Sequence, residues 1–300
     1  MASIRTCLPL PVVVLVGLTV GTAAAGGQER PLPDEGAFLQ EARARLQTDD
    51  SLQRSYAYVE TRLERKLDGD GRITEETVRV IESFPGLPGE EGRFERIVAV
   101  DGRPVPARDL AARDRERQEK VRQLAARLES QPAREETRQA RDLDRQRARV
   151  SAAVDDIFRV YDVRMLGREP IDGHDTIAFS LTPRPRSDPR TREGRYMRRF
   201  AARAWVSESD HELVRVDAEA VETLSIGFGL LARIHKGTRL SFERRKINGE
   251  AWLPARSSYA GSARVGLIRT LRRQGVSEFS DYRKFSVDTA ADYEIPRQVN

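Results

Sequence analysis

Beyond Cys7 the 300-residue chain has no cysteine. Disulfides, thiolate nucleophiles and cysteine-ligated metals are therefore excluded from everything that follows it. The three histidines, His174, His211 and His235, have neither H-E-x-x-H spacing nor a neighbouring second ligand, so no metal site is expected. There is no P-loop, no G-x-S-x-G elbow and no G-x-G-x-x-G, since Gly227-Phe228-Gly229 lacks a third glycine. No catalytic residue can be named and no cofactor is expected. KLDGDGRITEET imitates a calcium loop. With Gly71 as the turn glycine, however, Lys66 stands where the first carboxylate belongs and Thr77 where the bidentate glutamate belongs. It reads as a hairpin turn.

Charge of one sign is also scarce. Lys plus Arg number 52 against 47 Asp plus Glu, a net +5, which gives no ground for nucleic-acid binding. The apolar run Leu8–Val20 is shorter than the roughly 20 residues that a membrane-spanning helix needs. With Arg5 before it and Ala23-Ala24-Ala25 after it, it reads as a cleaved export signal covering residues 1–25. Cys7 precedes the apolar core, so it cannot be a lipid-attachment cysteine at the cleavage point.

The remaining residues, 26–300, read as one domain. EGAFLQEARARLQ puts Phe38, Leu39, Ala42 and Leu46 on one helical face, with Asp34 as N-cap. Strand alternation follows in SYAYVETRLERKL, ITEETVRVIESF and RFERIVAV. From Pro106 to Val160 there is no glycine, and arginine, glutamate and aspartate interleave. Val121, Leu124 and Leu128, then Leu143, Val150, Val154, Ile157 and Tyr161, mark narrow helical stripes. These predict two helices, or one broken near Ser130–Pro132. Alternation returns in TIAFSLTP and in two hairpins, one through Ser207–Asp210 and one through Asn248-Gly249. GVSEFSDYRKFSV is the last strand. Roughly nine strands, an early helix and a helical excursion make an antiparallel α+β domain.

Two stretches are candidates for binding. The loop Arg184–Arg199 carries seven arginines against Asp188 and Glu193, and could meet anionic head groups. LSIGFGLLARIHKG, residues 224–237, is apolar with two glycines. It reads either as a plug in the core or as a flap over an apolar cavity.

AWVSESDHELVRVDAEAV, RLSFERRKINGEAWLPARSSYAG and EFSDYRKFSV, with Trp205-Val206, Leu213-Val214-Arg215 and Trp252-Leu253-Pro254-Ala255-Arg256 as their strongest motifs, resemble the outer-membrane lipoprotein-sorting (LolA/LolB-like) superfamily. The resemblance covers most of the chain after the signal, and the charged insertion at about 106–160 departs from it. It implies a strongly curved antiparallel sheet, an incomplete barrel closed by covering helices, with an apolar interior that binds lipid or lipoprotein acyl chains. It implies no enzymatic activity and places the protein in the periplasm of a Gram-negative-type bacterium. Phe228, Leu230, Leu231, Trp252 and Tyr259 are the candidate ligand-binding residues. The alternative is a module that docks an envelope protein partner through its charged helices. N-terminal sequencing of the protein exported by a bacterial host should give a start near Gly26; an intact Met1 start would contradict the signal-peptide reading.

Overall fold

The computed structural model describes residues 30–48, 55–87, 93–226, 232–265 and 269–284. The expected signal peptide lies outside them. From Pro33 onward the chain is one compact unit. It opens with α1 (Glu35–Thr48), where Asp34 Oδ1 accepts from Ala37 N at 2.8 Å, the cap read from the sequence. Then come β1 (Tyr56–Leu67), β2 (Ile73–Phe84), β3 (Phe94–Val100) and the short β4 (Arg103–Pro104). Two long helices follow, α2 (Ala107–Ser130) and α3 (Pro132–Val160), broken at Gln131 with Pro132 in the first turn of the second. Next are β5 (Tyr161–Ile171), β6 (His174–Pro183), the short α4 (Arg192–Met197), β7 (Phe200–Ser207) and β8 (Leu213–Ala220). The chain ends with β9 (Leu224–Ile226), β10 (Ala232–Ile234), β11 (Arg239–Ile247), β12 (Ala251–Val265) and β13 (Arg269–Lys284).

Eleven strands form one antiparallel sheet in the order β4-β3-β2-β1-β13-β12-β11-β8-β7-β6-β5, with β10 on β12 and β9 on β10 beside it. Three of its hairpin turns have both central residues at positive φ: Asp101-Gly102 (50°, 74°), Asp172-Gly173 (47°, 77°) and Asn248-Gly249 (52°, 72°). This is the type I′ geometry, whose twist matches that of the flanking strands, and it explains why Asp-Gly and Asn-Gly occupy these corners. The calcium-like stretch is likewise a hairpin turn. Asp68 Oδ1 accepts from the amides of Asp70 and Arg72, both at 2.9 Å.

The expected strong curvature is not found. The sheet is open and neither closed nor strongly curled: β4 and β5 are unpaired edges joined through α2 and α3. The helices grip the two ends of the sheet instead of drawing its edges together. At one end Phe38 and Ala42 of α1 pack on Ile177, Phe179 and Val206. At the other, Val121 and Leu124 of α2 bury against Leu87. There Arg96 bridges Glu82 at 2.9 Å and Asp114 at 2.7 Å, and Arg117, 1% exposed, donates to Pro85 O.

α3 is anchored at its C-terminal end. Asp156 is fully buried and accepts from Arg190 N (3.0 Å), Thr191 N (2.7 Å) and Thr191 Oγ1 (2.6 Å). Burial alone would raise its pKa, but these donors and Arg159 hold the carboxyl below its ordinary value. Of the expected stripe, Val154 and Tyr161 are buried, while Leu143 is 50% exposed.

A Cβ at Gly194 would stand 2.2 Å from Asp156 Oδ2 and 2.8 Å from Pro189 Cβ. Gly194→Ala should therefore destabilise the fold by about 2 kcal/mol or more, because the anchor must open. A melting temperature equal to wild type would show that the loop yields freely.

Candidate functional site

Strand register sorts the side chains into two unlike faces. One lateral row runs through partnered residues Phe179, Ala204, Val216, Phe242, Ser257, Ser277, Arg62 and Arg79. The next runs Leu181, Ala202, Ala218, Leu240, Tyr259, Gly275, Glu64 and Thr77. Because partners across a ladder share a face, this face grades from apolar to small to charged. Its apolar end is covered by α1. In its middle Val216, Ala218, Phe242 and Tyr259 are only half-buried, and Leu240 is 43% exposed. The neighbouring positions Arg215, Asp217, Glu219, Arg239, Ser241 and Glu243 point to the opposite face. Charged and polar side chains there join as Arg215–Asp217 (2.8 Å), Ser241–Asp217 (2.6 Å) and Arg239–Glu219 (3.1 Å). Alternation of this kind marks a sheet with one face kept for apolar contact.

The charged side of the graded face is tightly organised. Glu60, 5% exposed, accepts from Ser277 Oγ at 2.6 Å and from Arg62 Nε at 2.8 Å. Glu64 pairs with Arg79 and lies 3.4 Å from the Tyr259 hydroxyl. The Tyr259 ring lies across the sheet, since a Cβ at Gly275 would meet its Cε1 at 2.4 Å. Burial, then the neighbouring Glu64 carboxylate, pushes the Tyr259 phenol up. Tyr259 thus lies where the apolar strip meets the charged network.

Trp252 is placed elsewhere. It is 3% exposed and seven residues away along β12, roughly 20 Å at strand rise. Its Nε1 donates to Asp210 Oδ2 at 3.0 Å and its ring lies 5.0 Å from that of His174. Phe228, Leu230 and Leu231 lie outside the described residues. The structure therefore puts Tyr259 on the strip and does not bring Trp252 to it. Sequence reasoning missed Val216, Leu240 and Phe242. Their alternation was legible, but only the pairing of β8 with β11 assembles them into a surface.

Asp210 is a hub at the opposite end of the strands. It accepts from Lys246 Nζ at 2.6 Å, from Ser209 at 2.9 Å, from Trp252 and from Ser207. Burial, the largest single influence, would raise its pKa, but these donors hold it well below the usual carboxylate range. As a reaction centre it offers little, because every lone pair is engaged. His235 Nδ1 and Ser262 Oγ lie 2.9 Å apart, and among the described residues no acidic side chain hydrogen-bonds His235. A base without an orienting group does not complete a nucleophilic set.

No family model and no curated protein matches the sequence. Solved structures do. The chain is similar to a domain assigned to outer-membrane lipoprotein sorting from Vibrio parahaemolyticus, at 8% identity and TM-score 0.34, covering 86% of this chain and 94% of that one. It is similar to a LolA superfamily protein from Nitrosomonas europaea (11%, TM-score 0.29, 82% and 94% covered). It is also similar to the Pseudomonas aeruginosa MucA/MucB complex structure (10%, TM-score 0.24, 82% and 100% covered). All three similarities are at low identity, with TM-scores below 0.5.

Asp210→Ala should cost about 3 kcal/mol, since it leaves a buried tryptophan N–H and a lysine unpartnered. The wild-type carboxyl has a folded pKa below its unfolded one. Its contribution should be complete above about pH 4 and should fade as pH falls. Thermal melts of both proteins from pH 7 to pH 3 check this: the difference in melting temperature should shrink toward acid.

Proposed function

We propose that this is an exported, non-enzymatic binding protein of the periplasm, and that it takes an acyl chain of a lipid or lipoprotein along the half-buried strip Val216, Ala218, Leu240, Phe242 and Tyr259. The observation that carries the reading is the exposure of that strip. A soluble sheet face normally buries its apolar row, yet in its middle this row keeps Leu240 43% exposed beside a half-buried Phe242. Because the sheet is open, the chain lies on a shallow face bordered by the Glu60–Arg62 and Glu64–Arg79 pairs. Apolar burial supplies the affinity, at about 0.8 kcal/mol for each methylene removed from water.

Anionic head groups have a second surface at hand. Arg184, Arg186, Arg190 and Arg195 are exposed and form no ion pair among the described residues. The helices suit a partner less well. Arg113–Glu116, Arg122–Glu119 and Arg145–Asp142 neutralise one another along their surface, and Val121 and Leu124 of α2 are turned inward.

Leu240→Asp sets a charge in the path of the chain and should weaken binding of a fluorescent fatty acid by about tenfold or more. Leu143→Asp, an equal change on exposed α3, should leave it unchanged. Equal binding by the wild type and Leu240→Asp would remove the strip from the site.

A further inference from the structure

The sheet carries a separate feature at the end where β1 runs into β2 and β12 into β13. A cleft of about 330 Å³ opens there, lined in part by Lys236, Thr238, Ser262, Arg272, Arg273 and Gln274, and no carboxylate lines it. Register puts Ser262 opposite Arg272 and Ala260 opposite Gln274, so these side chains share the face opposite Tyr259. Two residues beyond Ser262, Arg264 stands directly opposite Arg233 of β10. Like charges facing each other across an antiparallel ladder repel. The Nε of Arg264 is moreover buried without an acceptor among the described residues.

The neighbouring cations are treated differently by the fold. Arg239 pairs with Glu219 at 3.1 Å, Arg65 with Glu76 at 2.6 Å and Lys66 with Glu75 at 2.5 Å. Lys236, Arg233, Arg264 and Arg272 form no ion pair among the described residues. The carboxylates of the adjoining turn are engaged too. Asp68 accepts from its own turn amides, and Asp70 pairs with Arg72 at 3.5 Å. A concave site, a set of guanidinium and ammonium groups without counter-charge, and a hydroxyl at Ser262 are the equipment for a multivalent oxyanion.

We propose that this cleft binds a phosphate-type anion, with Arg272 and Lys236 of its lining, and Arg264 beside it on β12, as charge partners and Ser262 and Gln274 as neutral donors. The anion relieves the Arg233–Arg264 repulsion and gives the Arg264 Nε an acceptor. Arg272, Ser262 and Gln274 lie on the face opposite the apolar strip, and the site does not depend on acyl-chain binding. The same chemistry is offered by a free phosphate compound and by a phospholipid head group.

Calorimetry with inorganic pyrophosphate and flotation with phosphatidylcholine vesicles, with and without phosphatidylglycerol, test the proposal and separate the two sources. The site variant is Lys236→Gln with Arg264→Gln and Arg272→Gln. Its control carries the same charge change on the exposed helices, Arg108→Gln with Arg122→Gln and Arg145→Gln. Wild type and control should bind pyrophosphate in a salt-sensitive way, and the site variant should bind about tenfold or more weakly. Binding of phosphatidylglycerol vesicles that pyrophosphate displaces would identify a lipid head group. Pyrophosphate binding without vesicle binding would identify a soluble phosphate compound. Binding of neither probe by the wild type would overturn the proposal, as would equal losses in the site variant and the control.

Discussion

The register between β8 and β11 decides what each face of the sheet can do. Phe242 stands opposite Val216, and Leu240 opposite Ala218. Glu243, Ser241 and Arg239 are thereby sent to the other side, against Arg215, Asp217 and Glu219. A slip of one residue would exchange the two sets, exposing an ion-pair ladder to α1 and an apolar strip to the charged face. The neighbouring strands extend the same choice across the sheet. They carry an apolar row under α1 at one side and the Glu60–Arg62–Ser277 network at the other.

The helices complete this arrangement without closing it. α1 seals the β6–β7 end through Phe38, α2 clamps the other end through Val121, Leu124 and the Arg96 bridge, and α3 is tied down by Asp156. Between them, small residues such as Ser257, Gly275 and Ser277 leave room in which the Tyr259 ring lies flat. A strongly curled sheet needs bulky side chains to fill its concave side, or a closed ring of hydrogen bonds. Among the described residues the middle of that face holds Ser257, Gly275 and Ser277 and the strand order does not close, so the expected incomplete barrel is an open sheet.

Much of this was legible in the sequence because it is local. The Asp34 cap, the Asn248-Gly249 corner and the helix break at Pro132 each depend on a few adjacent residues, and each is found in place. The long outer parts of β12 and β13 were not foreseen. Arginines in RTLRRQ occupy both faces of an exposed hairpin, so no alternation marks them as strand. Contacts between distant segments were also hidden. The Asp210–Trp252 bond, the Arg93–Tyr58 stacking at 4.4 Å and the Glu60–Ser277 bond join residues 35 to 217 positions apart, and no periodicity announces them. The basic cleft was invisible for the same reason: its cations come from three separate strands and a turn.

The central claim is that the half-buried strip takes an apolar chain from the envelope. Native mass spectrometry of the protein purified from a bacterial periplasm, followed by organic extraction, tests it most directly. The account predicts a stoichiometric adduct that extracts as an acyl-bearing molecule. A clean apo mass that stays apo when lipids are added would contradict it.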